Sequence, residues 1–223
     1  MTRFRRVRWT LSLASLIAVN LAPLVGVIAF GWDARFVVLL YWFENLVIGG
    51  YAVLRIAFAR APLGAFHLGK LFAIPFFALH FGGFCAVHGL FVVTFFKIGG
   101  GGFPTTSSSG FLVFFELLGA VLRTVWNSRP PGMEWPLLGL VVSHGVSFVQ
   151  NYLLGGEREA MTVGKLMAQP YKRIAVLHVA ILAGGVPVLL LDSPIGLVVV
   201  LVLLKTVMDV LLHTREHRHS TPA

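Results

Sequence analysis

Two histidines, a cysteine and three glycines stand inside one long apolar run of this sequence. His80, Cys85 and His88 all fall between Leu71 and Phe96. A run of that length is typical of a membrane-spanning helix, and ionisable side chains within such a helix are rare and costly. The two imidazoles are therefore candidates for metal binding or for proton transfer.

His80 and His88 are too far apart to hold one metal ion by themselves, because their spacing on a helix corresponds to a rise of about 12 Å. Glu44 and His144 are expected at a depth similar to that of His88, and they would add a carboxylate and an imidazole, as in catalytic zinc sites. We interpret His80, His88 and His144 as candidate ligands of a divalent metal ion and Glu44 as a base or ligand. The sequence contains no His-Glu-x-x-His or Cys-x-x-Cys spacing, so it does not identify which cofactor, if any, is bound.

Nucleophilic catalysis is a second hypothesis for the same region. Ser147 follows His144 by three residues, so both side chains would share a helix face and could form a nucleophile and its base. Ser143 is adjacent to His144, and its side chain would diverge by about 100°. The Gly-x-Ser-x-Gly pattern of serine hydrolases is missing, so whether the protein is an enzyme stays open.

Further polar residues occur at other points of the predicted spans. They are Asn45, Asn151 and His178, together with Lys205, Asp209 and His213. The last three are four residues apart, so they share one face of a helix. This ladder is either a salt-bridged packing face or, together with His178 and Asn151, a path for protons or ions.

The overall composition indicates which elements must position these residues. Hydrophobic residues make up 57% of the 223 residues and charged residues only 12%, which is typical of a polytopic membrane protein. The formal net charge is +9, and the basic residues flank the apolar runs. This pattern favours anionic lipid headgroups as the partner and argues against nucleic acid.

Six segments reach spanning length, and they predict an all-α transmembrane helix bundle that forms a single integral membrane domain over residues 1–223. The segments are about 9–31, 36–57, 70–96, 135–154, 173–191 and 195–213. The first is longer than the core of a cleavable signal peptide, so we interpret it as a retained span. Residues 111–126 would be a seventh span, but they are short and contain Glu116 and Arg123.

The distribution of basic residues favours six spans, because cytoplasmic loops are enriched in Lys and Arg. If residues 111–126 do not cross, thirteen basic residues fall on the cytoplasmic side and four on the other side. If they do cross, the split is nine to eight. We therefore predict that both termini are cytoplasmic and that residues 111–126 lie in the outer interface or dip into the membrane.

Three segments are predicted to lie outside the spans. Residues 97–110 are rich in Gly, Ser and Thr and are expected to form a flexible external loop. Residues 155–172 contain Gly164, Pro170 and several basic residues, which is typical of a cytoplasmic interfacial connector. Residues 214–223 form a polar C-terminal tail.

Several short motifs coincide with the polar positions of the spans. They are Tyr41 to Gly49 around Glu44-Asn45, His80-Phe81-Gly82-Gly83-Phe84, Ser143-His144, and Asn151-Tyr152. Over about residues 36–213 the chain resembles an integral membrane family of bacteria that is catalogued as a domain of unknown function. The resemblance implies a bacterial cell (inner) membrane protein and supplies no activity.

Three functional hypotheses follow from the residues. The first is an intramembrane site, metal-dependent or proton-linked, built from Glu44, His80, His88 and His144. The second is a small transporter or channel-like module in which the polar positions form a path. The third is a structural subunit whose polar residues only hold helices together. The oligomeric state stays open.

Overall fold

A computed structural model describes residues 17, 21, 23–60, 66–100, 107, 109–191, 196, 198–207 and 210, with backbone alone at 66–68, 176–177 and 180–191. This part of the chain is helical and contains no strand, so the all-α prediction is confirmed. The main helices are α1 (Ala34–Phe58), α2 (Phe66–Phe95), α3 (Leu112–Asn127), α4 (Glu134–Ser147), α5 (Glu157–Ala160), α6 (Val163–Leu191) and α7 (Val198–Val207). A 3₁₀ turn spans Ile98–Gly100, and a π-helical turn, Phe148–Leu153, continues α4.

The chain divides into two compact units, and most of the candidate residues belong to the unit formed by residues 38–178. The other unit comprises residues 1–37 and 179–223. It contains Asp33, the residue before α1, whose carboxylate accepts a hydrogen bond from the backbone N–H of Arg35 at 2.8 Å and further bonds from its guanidinium. The hydrogen bonds to the Arg35 side chain lower the pKa of Asp33 and favour the carboxylate at the start of the helix.

The C-terminal end of α1 is held by three side chains from distant parts of the unit. A helix leaves its last four carbonyl groups without an intrahelical donor, so an enclosed helix end needs other donors. The donors are the Tyr152 hydroxyl to Arg55 O, the Lys70 ammonium to Ala57 O and Ala59 O, and the Arg158 guanidinium to Phe58 O. This end of α1 therefore anchors the start of α2 and the segment after α4.

Helices α1 and α2 pack antiparallel and come very close at two glycines. The indole N–H of Trp42 donates a buried hydrogen bond to the Cys85 carbonyl at 2.9 Å. Gly89 lies against the Trp42 ring, and Gly49 lies against Phe81, with too little room for a Cβ atom at either glycine. Small residues at these positions therefore permit the close approach of the two helices.

Helices α1 and α4 run parallel. The Tyr51 hydroxyl donates to the Val141 carbonyl at 2.9 Å, and its ring stacks on His144. Further along both helices, the Tyr152 hydroxyl donates to Arg55 O. Tyr51 contacts Val141, and the later residue Arg55 contacts the later residue Tyr152, so the two helices point the same way.

Helix α6 is longer than the sequence pattern predicted. The predicted connector ended at residue 172 and the span began at 173, whereas α6 begins at Val163 and continues through Pro170 to Leu191. Proline in a helix removes one backbone hydrogen bond but does not always end the helix, particularly where neighbouring segments pack around it. The ten additional residues correspond to about 15 Å of helix, which changes the expected depth of everything on α6.

The predicted spans 36–57 and 70–96 correspond to α1 and α2. Ala34–Phe58 and Gly69–Phe95 are long and apolar enough to cross a membrane by length and composition, which supports membrane association. Within the described residues the remaining predicted spans correspond to helices 23–30, α4 with its π-helical turn, α6 and the shorter apolar α7.

We predict that Gly89→Ala destabilises the protein, because the new Cβ would lie 2.6 Å from the Trp42 ring and 2.7 Å from Val121. Overpacking of this kind typically lowers the free energy of unfolding by about 1–3 kcal/mol. The matched control is Gly82→Ala, where no atom lies within 4 Å of the added Cβ and helix propensity predicts a gain of up to about 1 kcal/mol. Thermal unfolding in detergent measures both, and equal effects would contradict the packing described.

Candidate functional site

Helix α6 brings three polar side chains to α1 and α2. The Tyr171 hydroxyl lies 2.7 Å from Nδ1 of His80, and Nδ1 of His178 lies 2.9 Å from Nε2 of His88. The Arg173 guanidinium forms an ion pair with Glu44 at 2.9 Å. Because His80 pairs with Tyr171 and His88 with His178, helices α2 and α6 run parallel along this contact.

The pairing of His88 with His178 has a defined proton arrangement. Nδ1 of His88 lies 2.6 Å from the carbonyl of Phe84, which only accepts hydrogen bonds, so Nδ1 carries a proton. In the neutral ring Nε2 is then an acceptor, and Nδ1–H of His178 donates to it. Nε2 of a neutral His178 is left as the basic nitrogen of this histidine pair.

Burial distinguishes the two rings of the histidine pair. His88 is only 1% exposed, whereas His178 is partly exposed. An uncompensated charge on a buried ring is costly. The pair therefore joins a partly exposed ring to a buried ring through one hydrogen bond.

The contact between His80 and Tyr171 lies among aromatic rings. The Tyr171 ring meets Phe77, Phe81 and Phe84 edge-on, with ring centroids 5.7 to 6.5 Å apart. Edge-to-face contacts of this geometry are favourable, so Tyr171 is held in place as well as hydrogen-bonded. Its hydroxyl fixes the orientation of the exposed His80 ring.

His80 and His88 belong to one column of rings along α2. Four residues separate each ring from the next, and the members are Phe72, Phe76, His80, Phe84 and His88. This spacing places side chains above one another on a single helix face. Phe84 therefore lies between the two imidazoles and separates the His80–Tyr171 contact from the histidine pair.

Glu44 and His144 lie in a charged region that also contains Arg55 and Arg173. Glu44, Arg55 and Arg173 are all within electrostatic range of His144, whose ring stacks on Tyr51. The ion pair is partly open, with 19% of the Glu44 side chain and 44% of the Arg173 side chain exposed. Arg173 therefore compensates the carboxylate that the sequence left without a partner.

Two amides complete the polar positions of this unit. Asn151 donates to the hydroxyl of Ser147 at 3.2 Å, so the structure pairs Ser147 with an amide rather than with His144. Asn45 donates to the Tyr41 carbonyl, while its Oδ1 is buried without a hydrogen-bond partner among the described residues. A buried acceptor of this kind is suited to a donor group of a bound molecule.

Metal binding by His80, His88 and His144 stays a prediction. Among the residues that the structure describes, no group of three or more His, Cys, Asp or Glu side chains is placed to hold a metal ion. His80, His88 and Glu44 contact Tyr171, His178 and Arg173 instead, and His144 stacks on a tyrosine. Arg173 and His178 lie well inside α6, because this helix begins at Val163, ten residues before the predicted start of the span at residue 173.

The ladder on the last predicted span belongs to the other unit. Lys205 lies on α7, is partly buried and has an interaction partner. Asp209 and His213 lie outside the described residues. The predicted ladder thus stays a prediction.

Sequence reasoning did not identify Tyr171 and Arg173 as partners of the site. A usable signal was present, because Tyr171 and His178 are seven residues apart and His80 and His88 are eight apart. Both intervals equal about two helical turns, so two parallel helices can align both pairs.

We predict that Tyr171→Phe lowers the free energy of unfolding by about 0.5–1.5 kcal/mol, because one neutral hydrogen bond to His80 is lost. Tyr171→Ala should cost more, since it also removes the ring that packs on Phe77 and Phe81. Chemical unfolding in detergent compares the two variants. An unchanged stability in Tyr171→Ala would refute the packing role.

Comparison with known proteins gives a family and no activity. No curated protein and no solved structure matches the chain. A family model matches residues 2–223, and its description is "Family of unknown function (DUF6498)". The resemblance to a domain of unknown function is thereby confirmed, and the chain belongs to this family.

Proposed function

We propose that the protein is a multi-pass membrane protein that moves protons, with the histidine pair as its proton-transfer element. The observation that carries this proposal is the 2.9 Å contact between His88 and His178, with the other side of His88 held by a backbone carbonyl. Ionisable groups inside a membrane protein are costly and therefore typically serve function.

The proposed location is a bacterial cell membrane, with six spans and both termini in the cytoplasm. The length and apolar character of α1 and α2 support membrane insertion. Six crossings require α1 and α4 to point the same way, and α2 and α6 likewise. The contacts of Tyr51 with α4 and of His88 with His178 support these two parallel arrangements. A crossing α3 would make both helix pairs antiparallel.

Proton transfer through the pair needs no cofactor. A proton that binds Nε2 of His178 converts that ring to an imidazolium. Its Nδ1 proton can then pass along the hydrogen bond to Nε2 of His88, which leaves His178 neutral and His88 charged. Because His88 is buried, its charged state is short-lived. The Phe84 carbonyl is not a base, so net transfer requires the His88 ring to turn and release a proton to a water molecule.

We predict that liposomes containing the purified protein take up protons under an imposed membrane potential. His88→Ala and His178→Ala should lower the uptake rate on the order of tenfold or more, as expected for removal of a positioned proton carrier. A pH-sensitive dye trapped inside the liposomes measures the rate. The matched control is His144→Phe, which removes another histidine of the same unit but keeps a ring against Tyr51.

Two results would contradict the proposal. Wild-type liposomes that take up protons no faster than empty ones would exclude proton movement by this chain. An equal loss in His144→Phe would show that the effect is not specific to the histidine pair. If wild-type protein takes up no protons and the histidine variants are only less stable, the result would favour the hypothesis of a structural subunit.

We also predict the tautomer of His88. In protein labelled with ¹⁵N at histidine, neutral His88 should carry its proton on Nδ1, and a scalar coupling should connect its Nε2 with Nδ1 of His178 across the hydrogen bond. NMR of the labelled protein measures both. The coupling should vanish in His178→Phe, and a proton on Nε2 of neutral His88 would refute the arrangement.

A further inference from the structure

Helix α3 runs parallel to α2, although the two helices follow each other in the chain. Gly83 lies against Phe114, Gly89 against Val121, and Gly99 of the turn after α2 against Thr124. From one contact to the next, the residue number increases both along α2 with its following turn and along α3, so the two helices point the same way. Consecutive helices joined by a short hairpin would instead be antiparallel.

The parallel alignment sets the depth at which α3 begins. Gly83 precedes the end of α2 at Phe95 by twelve residues, or about 18 Å of helix. Helix α3 therefore starts beside the middle of α2 and ends beside the turn that follows α2. The C-terminal end of α3 therefore lies beside the C-terminal end of α2.

We propose that α3 is the returning half of a re-entrant segment, which enters and leaves the membrane from the outer side. This inference rests on the membrane location proposed above, in which α2 crosses at residues 70–96. Gly83 is the midpoint of that span, so Ser109 to Phe111 lie near the centre of the membrane.

The described residues before α3 fit this depth. Both the backbone N–H and the hydroxyl of Ser107 donate to the Glu116 carboxylate, at 2.9 to 3.1 Å, which ties Ser107 to α3. Gly110 adopts a positive φ of 65° at the turn. The side chains of Phe111 and Leu112 are 61% and 53% exposed, as expected for groups that contact acyl chains.

The backbone at this turn has a consequence for water. The N–H groups of Val113 and Phe114 donate to the Gly110 and Phe111 carbonyls, and irregular backbone at membrane depth is tolerated only against protein or water. If water from the outer side provides that contact, it reaches the level of Gly83, which is five residues, or about 7.5 Å, deeper than His88. The histidine pair would accordingly exchange protons with the outer side.

Single-cysteine labelling tests the re-entrant segment. Cys85 is the one cysteine of the sequence, so Cys85→Ala provides a thiol-free background. Ser109→Cys probes the turn, Ser128→Cys the end of α3, and Ala160→Cys the opposite side. In intact cells a membrane-impermeant maleimide should label the first two, and Ala160→Cys should react only after permeabilisation. Labelling of Ser109→Cys and Ser128→Cys from opposite sides, or no labelling of Ser109→Cys, would overturn the proposal.

A disulfide tests the helix alignment without reference to the membrane side. A Cβ at Gly83 would lie 3.8 Å from Cβ of Phe114, which is the spacing of a disulfide. Gly83→Cys with Phe114→Cys should therefore cross-link on oxidation, at least about tenfold more than the control pair Gly82→Cys with Phe114→Cys. Equal cross-linking would overturn the alignment. Neither experiment measures proton movement, so each can fail separately from the proposed function.

Discussion

The C-terminal end of α1 is the constraint from which the remaining arrangement follows. Its last carbonyl groups need donors, and the chain provides them from Lys70, Tyr152 and Arg158. A carbonyl left unpaired where it is buried costs about 1–3 kcal/mol, so apolar side chains cannot replace these donors. The bonds fix the start of α2, the turn that continues α4, and α5 relative to α1.

Once these helices are in place, the position of α6 decides which side chains meet. Its early start at Val163 carries Tyr171, Arg173 and His178 to the level of His80, Glu44 and His88. Glu44, His80 and His88 are thereby each paired with a side chain from α6. The result is a series of separate pairs that α6 forms with α1 and α2.

The apolar runs of α1 and α2 could be predicted from the sequence, because their length and composition leave little alternative. The helix across Pro170 could not, since proline ends some helices and is tolerated in others according to tertiary packing. The same uncertainty decided the site: Glu44, His80 and His88 were identified as candidates, but their partners depended on where α6 begins. The direction of α3 was also hidden, because its length and charges fit several placements and only the glycine contacts with α2 define it.

The hydrogen bond from the Trp42 indole N–H to the Cys85 carbonyl makes hydrogen exchange of this N–H a measure of the separation of α1 and α2. Trp42 is 0% exposed, whereas Trp32, Trp126 and Trp135 are each about half or more exposed. In heavy water the indole N–H of Trp42 can exchange for deuterium only when α1 and α2 separate, while the exposed indoles exchange directly. The lifetime of this one proton therefore reports how often the two helices part.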